Sequence, residues 1–515
     1  MKRFFCALLC AVLLCGLTAC ADWDEQEQFD TLAQYYRAES KEPDTALTDF
    51  VLPYSAGETL DPVTCADGYQ LTLTRLLYQG LYELDAQWAP QPVLAAGCSY
   101  DSPSRTYTVT LRSDAVFSDG TPLTAADAAA TLERARLSAR YAARLSHVRA
   151  VAASGTDLRI ELDRDDRQLP ALLDIPIVKS GTESRLVPVG TGPYVLTEDD
   201  RGDCLVPSQY YPRQEALPFT RISLLSFKSP ESAAYAFSAR DIQLLFSDLT
   251  ATDATALTGS GETVDAPTST LHFIGFNLRS TLLADVRVRR ALSYCLDRDA
   301  LIDAYLLGHA RAAQFPLSPQ SALYPDDLED AASPEDFAAA MEEAGLCSDT
   351  PRHLTLLVNR ENSFKTAMAQ AAAERMSAYD LQVTVSALPW EEYLYALENG
   401  SFDLYYGEVT LTADWDASSL MGTGGALNYG GFSDPELDAL LQAAQAAPES
   451  GRESALRNLC LRFHRELPLL PLCFTNRSLL LSAGAVEGVS PTAANAFYGL
   501  ENWTVHIREV TRSAK

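Results

Sequence analysis

The chain has 515 residues, a formal net charge of -29 at pH 7 and 47% hydrophobic residues. So acidic a surface repels the phosphates of nucleic acids and of anionic lipids, which excludes both as partners of the body of the chain. The length predicts roughly three domains, and the apolar content suffices for large cores.

The first residues predict a secretory signal peptide of the lipoprotein type. Lys2 and Arg3 form a positive start, and residues 4–17 are an apolar run shorter than the roughly 20 residues that span a bilayer. The run ends in Leu17-Thr18-Ala19-Cys20, which resembles the bacterial lipobox, where the cysteine is diacylated and becomes the first mature residue. The alternative is an ordinary signal peptide that contains cysteines.

This interpretation divides the N-terminus into residues 1–20, the signal peptide, and residues 21–44, an acidic and polar flexible tether. Two acyl chains on Cys20 are enough for a stable anchor. We therefore expect the mature chain on the extracellular face of the cell membrane, held by its lipid alone.

Seven cysteines follow Cys20, and none belongs to a C-x-x-C motif. An odd number cannot all pair, and Cys295 falls on the apolar face of a predicted helix. We expect buried, reduced thiols, with one disulfide as the alternative outside the cell. The seven are Cys65, Cys98, Cys204, Cys295, Cys347, Cys460 and Cys473.

The body of the chain alternates strands and helices. Residues 107–111 alternate apolar and polar side chains, which predicts a half-buried strand. A turn at residues 118–122 follows, and Thr124 with Asp127 forms a capping-box pattern that begins a helix over residues 125–137.

A second series predicts the order β-α-β-α-β, which implies a parallel or mixed sheet covered by helices. Further on, Asp434 before Pro435 predicts the capped start of an amphipathic helix. The series comprises strands at 353–359, 382–387 and 402–409 and helices at 363–378 and 391–398.

Several motifs, in the right order from about residue 47 to residue 504, resemble the family 5 extracellular solute-binding proteins of bacterial ABC importers. That family includes oligopeptide-, dipeptide- and nickel-binding proteins. The matching segments are residues 60–62 (LDP), 76–82 (LLYQGLY), 117–127 (FSDGTPLTAAD), 189–194 (VGTGPY), 276–277 (FN), 285–292 (DVRVRRAL), 297–298 (DR) and 429–438.

The resemblance implies an α/β, two-lobed, flytrap-like periplasmic-binding-protein fold (type II, cluster C-like) with an extra domain. It also implies that the lobes close over a ligand that prefers the closed state. The expected parts are lobe 1 (45–75, 188–270 and 482–515), the extra domain attached to it (76–187) and lobe 2 (271–481).

Members of the family commonly hold a peptide ammonium with an aspartate in a loop after the third strand of the series. Here Ala413-Asp414-Trp415-Asp416 is similar to the family's Ala-Asp-Tyr-x-Asp/Glu-Pro pattern, but Ala417 replaces the proline and the second carboxylate comes one residue early. Asp414 and Asp416 are therefore both candidates for the ammonium. The alternative is two surface aspartates in a turn.

Two more residues are candidates for ligand contact. Trp415 either forms an aromatic wall beside the ligand or closes a core beneath the loop. Arg360 follows the strand 353–359 and precedes a helix, a position suited to a peptide carboxylate, although a solvated arginine is the alternative.

The resemblance implies capture of peptides or similar small solutes for the permease subunits of an ABC importer, by a protein that we expect to be a monomer. Alternatives are a peptide sensor, a binder of a nickel chelate or sugar and, last, a secreted peptidase. The six histidines are scattered, and no G-x-S-x-G, H-E-x-x-H or P-loop motif occurs. We expect no enzyme activity, no cofactor and no metal site.

Overall fold

The computed structural model describes residues 49–251, 261–331, 334–348 and 350–506. The predicted signal peptide, Cys20 and the tether lie outside these residues. Within them, no helix is both long and apolar enough to cross a bilayer.

Short strands dominate the chain before residue 252. Its helices are α1 (Gly68–Leu77), α2 (Ala125–Arg136) and α3 (Pro230–Ser238), with 3₁₀ turns at Leu169–Leu172 and Gln214–Ala216. Its strands are β1 (Val51–Tyr54), β2 (Tyr82–Leu84), β3 (Pro90–Pro92), β4 (Ala95–Asp101), β5 (Thr106–Leu111), β6 (Val148–Ser154), β7 (Asp157–Leu162), β8 (Tyr194–Asp199), β9 (Gly202–Pro207), β10 (Ile222–Ser226) and β11 (Leu244–Ser247).

Longer strands and helices follow residue 260. The strands are β12 (Gly261–Phe276), β13 (Ala310–Ala312), β14 (Arg352–Asn359), β15 (Leu381–Leu388), β16 (Leu404–Thr410), β17 (Leu469–Ser482), β18 (Val486–Glu487) and β19 (Thr504–Val505). The helices are α4 (Thr281–Ala284), α5 (Val286–Tyr294), α6 (Arg298–Tyr305), α7 (Pro334–Glu343), α8 (Ser363–Met376), α9 (Trp390–Glu398), α10 (Ser418–Met421), α11 (Pro435–Ala446) and α12 (Glu449–Glu466), with 3₁₀ turns at Asp326–Leu328 and Leu500–Asn502.

Three larger sheets organise these elements. The predicted lobe 1 contains the sheet β1-β10-β9-β8, and the predicted extra domain contains β4-β5-β7-β6 with α2 against it. The third sheet has the order β11-β17-β12-β16-β14-β15, with β13 on β17. Each sheet packs against its own buried apolar cluster. The third sheet has two clusters in the predicted lobe 2, one on each face.

The long antiparallel pair β12–β17 runs through both parts of the third sheet. Residues 261–267 pair with 476–482 next to β11, whereas residues 271–275 pair with 469–474 next to β16. The ladder shifts register between Pro267 and Leu271. An irregular pair of strands therefore connects the part around β11 with the part around β14–β16, and such irregularities bend strands locally.

The local predictions in the extra domain are confirmed. The predicted strand 107–111 is β5, and the predicted helix 125–137 is α2. The capping box is complete, because Asp127 N donates to Thr124 Oγ1 (3.3 Å) and Thr124 N donates to Asp127 Oδ2 (3.0 Å).

The β-α-β-α-β series is confirmed as β14-α8-β15-α9-β16, a mixed sheet in which β14 runs parallel to both β15 and β16. The helix α8 ends at Met376, before the predicted residue 378. There Ser377 Oγ accepts a hydrogen bond from Val383 N (2.9 Å), which turns the chain towards β15. Asp434 caps α11 as predicted, accepting from Glu436 N and Leu437 N.

Two of the motifs noted in the sequence, residues 117–127 and 189–194, contain a glycine that another residue could not replace without strain or overlap. Gly120 has φ of +82° in the turn before α2, a conformation that glycine adopts without steric cost. Gly192 donates from N to Leu77 O (2.9 Å), and a Cβ at this position would overlap the backbone of Leu77. The segment 189–194 can therefore pack tightly against the end of α1.

The seven cysteines are free thiols, as expected. Their predicted burial is correct for Cys65, Cys204, Cys460 and Cys473, and Cys295 is partly buried. It is wrong for Cys98 and Cys347, which are exposed. Cys98 lies on the edge strand β4, where side chains on one face point to solvent, and no periodic apolar pattern marks either residue.

Candidate functional site

The carboxyl ends of β14, β15 and β16 lie at one edge of the third sheet, because these strands are parallel. Asn362 caps α8 at this edge, accepting from Lys365 N (2.9 Å). Its amide also donates to Thr250 O (3.0 Å) in the predicted lobe 1. This edge therefore faces the other lobe, which is where a ligand enclosed between the lobes would lie.

The loop that follows β16, residues 411–419, is fixed on two sides. Leu411 N donates to Ser269 O on β12 (2.9 Å), and Ser269 Oγ donates to Leu411 O (2.6 Å). The carbonyl of Asp414 accepts from Gln445 Nε2 of α11 (3.1 Å) and Arg452 Nη2 of α12 (3.0 Å). The position of Asp414 is thus set by α11 and α12 of the predicted lobe 2, and the start of the loop is held by Ser269 of β12, in the predicted lobe 1.

Trp415 lies in a core between the extra domain and β17. Its ring meets Trp88 edge-on at 5.0 Å and Phe474 at 6.2 Å, and the residue is 3% exposed. Its φ is +57°, a left-handed conformation that costs a bulky residue roughly 1–3 kcal/mol. Burial of two tryptophans against each other offsets that cost.

Asp414 is buried and forms no salt bridge with any described residue. Its Oδ1 accepts from the hydroxyl of Thr412 and from Asp416 N (3.3 Å). Burial raises the pKa of Asp414, and the negative charge of Asp416 adds to the increase. A buried carboxylate without a cationic partner is costly, so a cation delivered by a ligand would stabilise its charged form.

Asp416 differs, since the protein itself neutralises it. Its Oδ2 accepts from Arg164 Nη2 of the extra domain at 2.5 Å, and His147 Nε2 lies 3.8 Å away. Its Oδ1 caps α10 by accepting from Ser418 N (2.9 Å). Burial acts to raise the pKa of Asp416, but Arg164 outweighs it and holds the pKa below its usual value.

Arg360 is exposed at the end of β14, on the same edge as the loop. Its backbone N donates to Leu388 O of β15 (2.9 Å). Among the described residues, no hydrogen bond or salt bridge joins its side chain to the loop 411–419. The structure thus brings Asp414, Trp415 and Asp416 together and leaves Arg360 apart on the shared edge.

A charged network that the sequence did not reveal lies at this edge too. Glu408 pairs with Lys365 Nζ (2.6 Å) and His272 Nε2 (3.2 Å). Burial acts to raise the pKa of Glu408, but these two partners outweigh it and lower the pKa to about 2. Because its charges are matched internally, the network serves to join β12, β16 and α8.

A cavity of about 420 Å³ lies between the predicted lobe 1 and the C-terminal part of β17, lined by Tyr69, Asp248, Ala251 and Arg477 among others. The guanidinium of Arg477 stacks 4.0 Å from the centre of the Phe246 ring, and it forms no salt bridge within the described ranges. Burial lowers the pKa of Arg477 to about 10. Arg477 Nη1 donates to Ala493 O (3.2 Å) and Nη2 to Phe246 O (3.3 Å), so this arginine, which the sequence did not indicate, holds the backbone at the wall of the cavity.

The sequence also did not indicate Arg164 and Trp88, the extra-domain partners of the loop. Arg164 and Asp416 are 252 residues apart, and both partners lie in segments without a motif of their own. A local pattern cannot reveal such a pairing, because it exists only in the folded chain.

Known proteins resemble this architecture along most of its length. The periplasmic murein tripeptide-binding protein MppA, in its unliganded open form, superposes with a TM-score of 0.74 at 20% identity, over 90% of this chain and 99% of that one. The predicted two-lobed type II fold is thereby confirmed.

Two curated relatives come from Escherichia coli K12. The probable deoxycholate-binding periplasmic protein YgiS is 25% identical over 464 residues, which is 81% of this chain and 86% of the relative. The glutathione-binding protein GsiB is 28% identical over 272 residues, which is only 50% of this chain and 53% of the relative.

The model of the bacterial extracellular solute-binding proteins, family 5 Middle, matches residues 89–430. This range includes β14–β16, the loop 411–419 and most of the motifs noted in the sequence. With well over half of the chain matched, the chain belongs to family 5 of the bacterial extracellular solute-binding proteins.

Proposed function

We propose that the chain captures peptides outside the cell and delivers them to the permease subunits of an ABC importer. The observation that carries this proposal is Asp414, a buried carboxylate at the lobe-facing edge that forms no salt bridge with a described residue, since Arg452 donates to its backbone carbonyl. A peptide offers an ammonium that would supply the missing charge. Relatives named for glutathione and for a murein tripeptide support a peptide ligand.

Asp414 suits the ammonium better than Asp416. Arg164 already neutralises Asp416, so an ammonium there would meet a matched pair and gain little. Among the described residues, the carboxylate of Asp414 accepts only from the Thr412 hydroxyl and from Asp416 N. Trp415, packed in the core beneath the loop, fixes the conformation of the chain next to Asp414, and Arg360 would take the peptide carboxylate.

Binding in this scheme requires no chemical step on the peptide. The lobes would close by bending at the irregular stretch of β12 and β17, as hinge motions in two-lobed receptors do. The predicted division into lobe 1, extra domain and lobe 2 is part of this proposal. A bound peptide should be recovered with its amide bonds intact.

We expect glutathione, trialanine or pentaalanine to bind in isothermal titration calorimetry and to reduce the radius of gyration in small-angle X-ray scattering. The reduction follows because a ligand shifts the population towards the state that it binds better. Deoxycholate serves as the competing ligand class, because a relative is named for it. Binding of deoxycholate with no response to any peptide would contradict the peptide assignment.

We further propose that Cys20 anchors the chain through two acyl chains. Changing Cys20→Ser should abolish labelling by radioactive palmitate and leave the precursor uncleaved at this site, because the serine lacks the thiol that is acylated. Cys15→Ser is the matched control, as a cysteine in the same apolar run. Labelling that survives in the Cys20 variant would exclude this residue as the anchor.

A further inference from the structure

The segment between β7 and the 3₁₀ turn at 169–172 reaches from the extra domain to the loop after β16. Arg167 N donates to Gln445 O (2.9 Å), and Gln168 Nε2 donates to Ala447 O (2.8 Å). Gln445 in turn holds the carbonyl of Asp414. Through the contacts of Arg167 with Gln445 and of Gln445 with Asp414, residues 164–168 pack against the loop 411–419.

Asp166 is the buried acid of this segment, at 1% exposure. Its carboxylate accepts from Gln168 N (2.7 Å) and forms no salt bridge with a described residue. Burial, followed by the charge of Asp414, raises the pKa of Asp166 to about 7. Two buried acids from different parts of the chain thus lie close enough to repel each other.

Other charged side chains surround this pair without neutralising it. Arg164 is taken by Asp416, and Arg144 is taken by Asp174. The charge of Arg452 acts on both acids. Its hydrogen bond to the loop, however, goes to the backbone carbonyl of Asp414 and not to a carboxylate.

Two more atoms at the same place have no hydrogen-bond partner in the described structure. They are Gln445 Oε1 and Arg452 Nη1, on side chains that are 3% and 6% exposed. In the same two side chains, Gln445 Nε2 and Arg452 Nη2 donate to the carbonyl of Asp414. Both unpaired atoms therefore lie beside that residue. Buried polar atoms rarely stay unpaired, and such a group of them indicates a ligand.

The two acids and the two unpaired atoms together match the amino-terminal residue of a peptide. An ammonium carries three N–H donors, and Asp414, Asp166 and Gln445 Oε1 are three acceptors. Arg452 Nη1 is a donor, and the first carbonyl oxygen of a peptide is the acceptor nearest to its ammonium. A cavity of about 870 Å³ between the extra domain and α11 is lined by Arg164 and Gln445 among others, and it therefore adjoins the cluster at Gln445.

We propose that Asp166 and Asp414 together form a two-carboxylate receptor for the amino-terminal residue of a bound peptide, with the extra domain supplying one of the two acids. This inference rests on the proposed function and extends it, because it makes the extra domain a determinant of specificity. A ligand with an acylated or missing amine would leave both acids unmatched.

The test compares the unmodified protein with Asp166→Asn and with Glu161→Gln, an exposed acid at the end of β7 that does not line the cavity. Affinities for trialanine and N-acetyl-trialanine are measured by calorimetry. Asp166→Asn should weaken binding of trialanine at least tenfold and leave binding of the acetylated peptide unchanged, whereas Glu161→Gln should alter neither. The melting temperature without peptide should not fall, which separates the lost contact from damage to the fold.

Two contrary outcomes would overturn this inference alone, and a third would overturn the proposed function as well. If Asp166→Asn binds trialanine as the unmodified protein does, Asp166 does not contact the amine and this inference is overturned, while the proposed function stands. Equal weakening of the free and acetylated peptides would also overturn it, by showing an indirect effect. If the unmodified protein binds no peptide, the proposed function fails, and the inference fails with it.

Discussion

Replacing Asp414 by asparagine should weaken binding of a peptide with a free amine by two to three and a half orders of magnitude. Removal of one partner from a buried charge pair typically costs about 3–5 kcal/mol, and each 1.4 kcal/mol is tenfold in affinity. Asparagine keeps the shape of the side chain and some hydrogen bonding, so the loss reports the charge. Calorimetry with trialanine measures it.

The matched variant is Asp416→Asn, two residues along the same loop. Its carboxylate binds Arg164 and caps α10, so its loss should loosen the contact between loop and extra domain. We expect weaker binding of trialanine and N-acetyl-trialanine to the same extent in this variant. Asp414→Asn, in contrast, should affect only the free amine.

The two variants separate three explanations. A selective loss in Asp416→Asn instead of Asp414→Asn would place the ammonium at Asp416 and contradict the reasoning from its partner Arg164. Equal binding by both variants, with an acetylated peptide bound as tightly as the free one, would place the ammonium elsewhere. That last result would also remove the main support for a peptide ligand.

The sequence predicted the framework of the site because its signals are local. The apolar period and the caps identified β14, α8, β15, α9 and β16, and the order of these elements implied parallel strands with their carboxyl ends together. The position of the loop 411–419 followed from that order. So did the place of Arg360 on the same edge.

The difference between Asp414 and Asp416 could not be predicted, because neighbouring residues in one loop have nearly the same local pattern. Their environments diverge through distant residues: Arg164 of the extra domain binds Asp416, whereas Gln445 and Arg452 hold the carbonyl of Asp414. The left-handed conformation of Trp415 is likewise imposed from a distance, by Trp88 and Phe474. Sequence patterns hold no record of such contacts between parts of the chain.

The same two buried acids predict an unusual pH dependence of stability. The unfolded chain releases the proton of Asp166 near its ordinary pKa of 3.8, whereas the folded protein keeps it up to about 7. Between these values the folded state binds more protons, so the contribution of Asp166 to stability is lost as pH rises. At about 1.4 kcal/mol per pH unit, the loss amounts to roughly 4 kcal/mol by pH 8.

Asp166→Asn cannot ionise and should escape this loss. Relative to the unmodified protein, the variant should therefore gain roughly 4 kcal/mol in the free energy of unfolding between pH 4 and pH 8. Urea denaturation at both pH values measures the difference, and groups such as Glu408, whose lowered pKa has the opposite effect, cancel in the comparison. The control Glu161→Gln should keep a constant difference from the unmodified protein at both pH values. A constant difference between Asp166→Asn and the unmodified protein would show that Asp166 ionises normally, and thus that it does not face Asp414 as a charged neighbour.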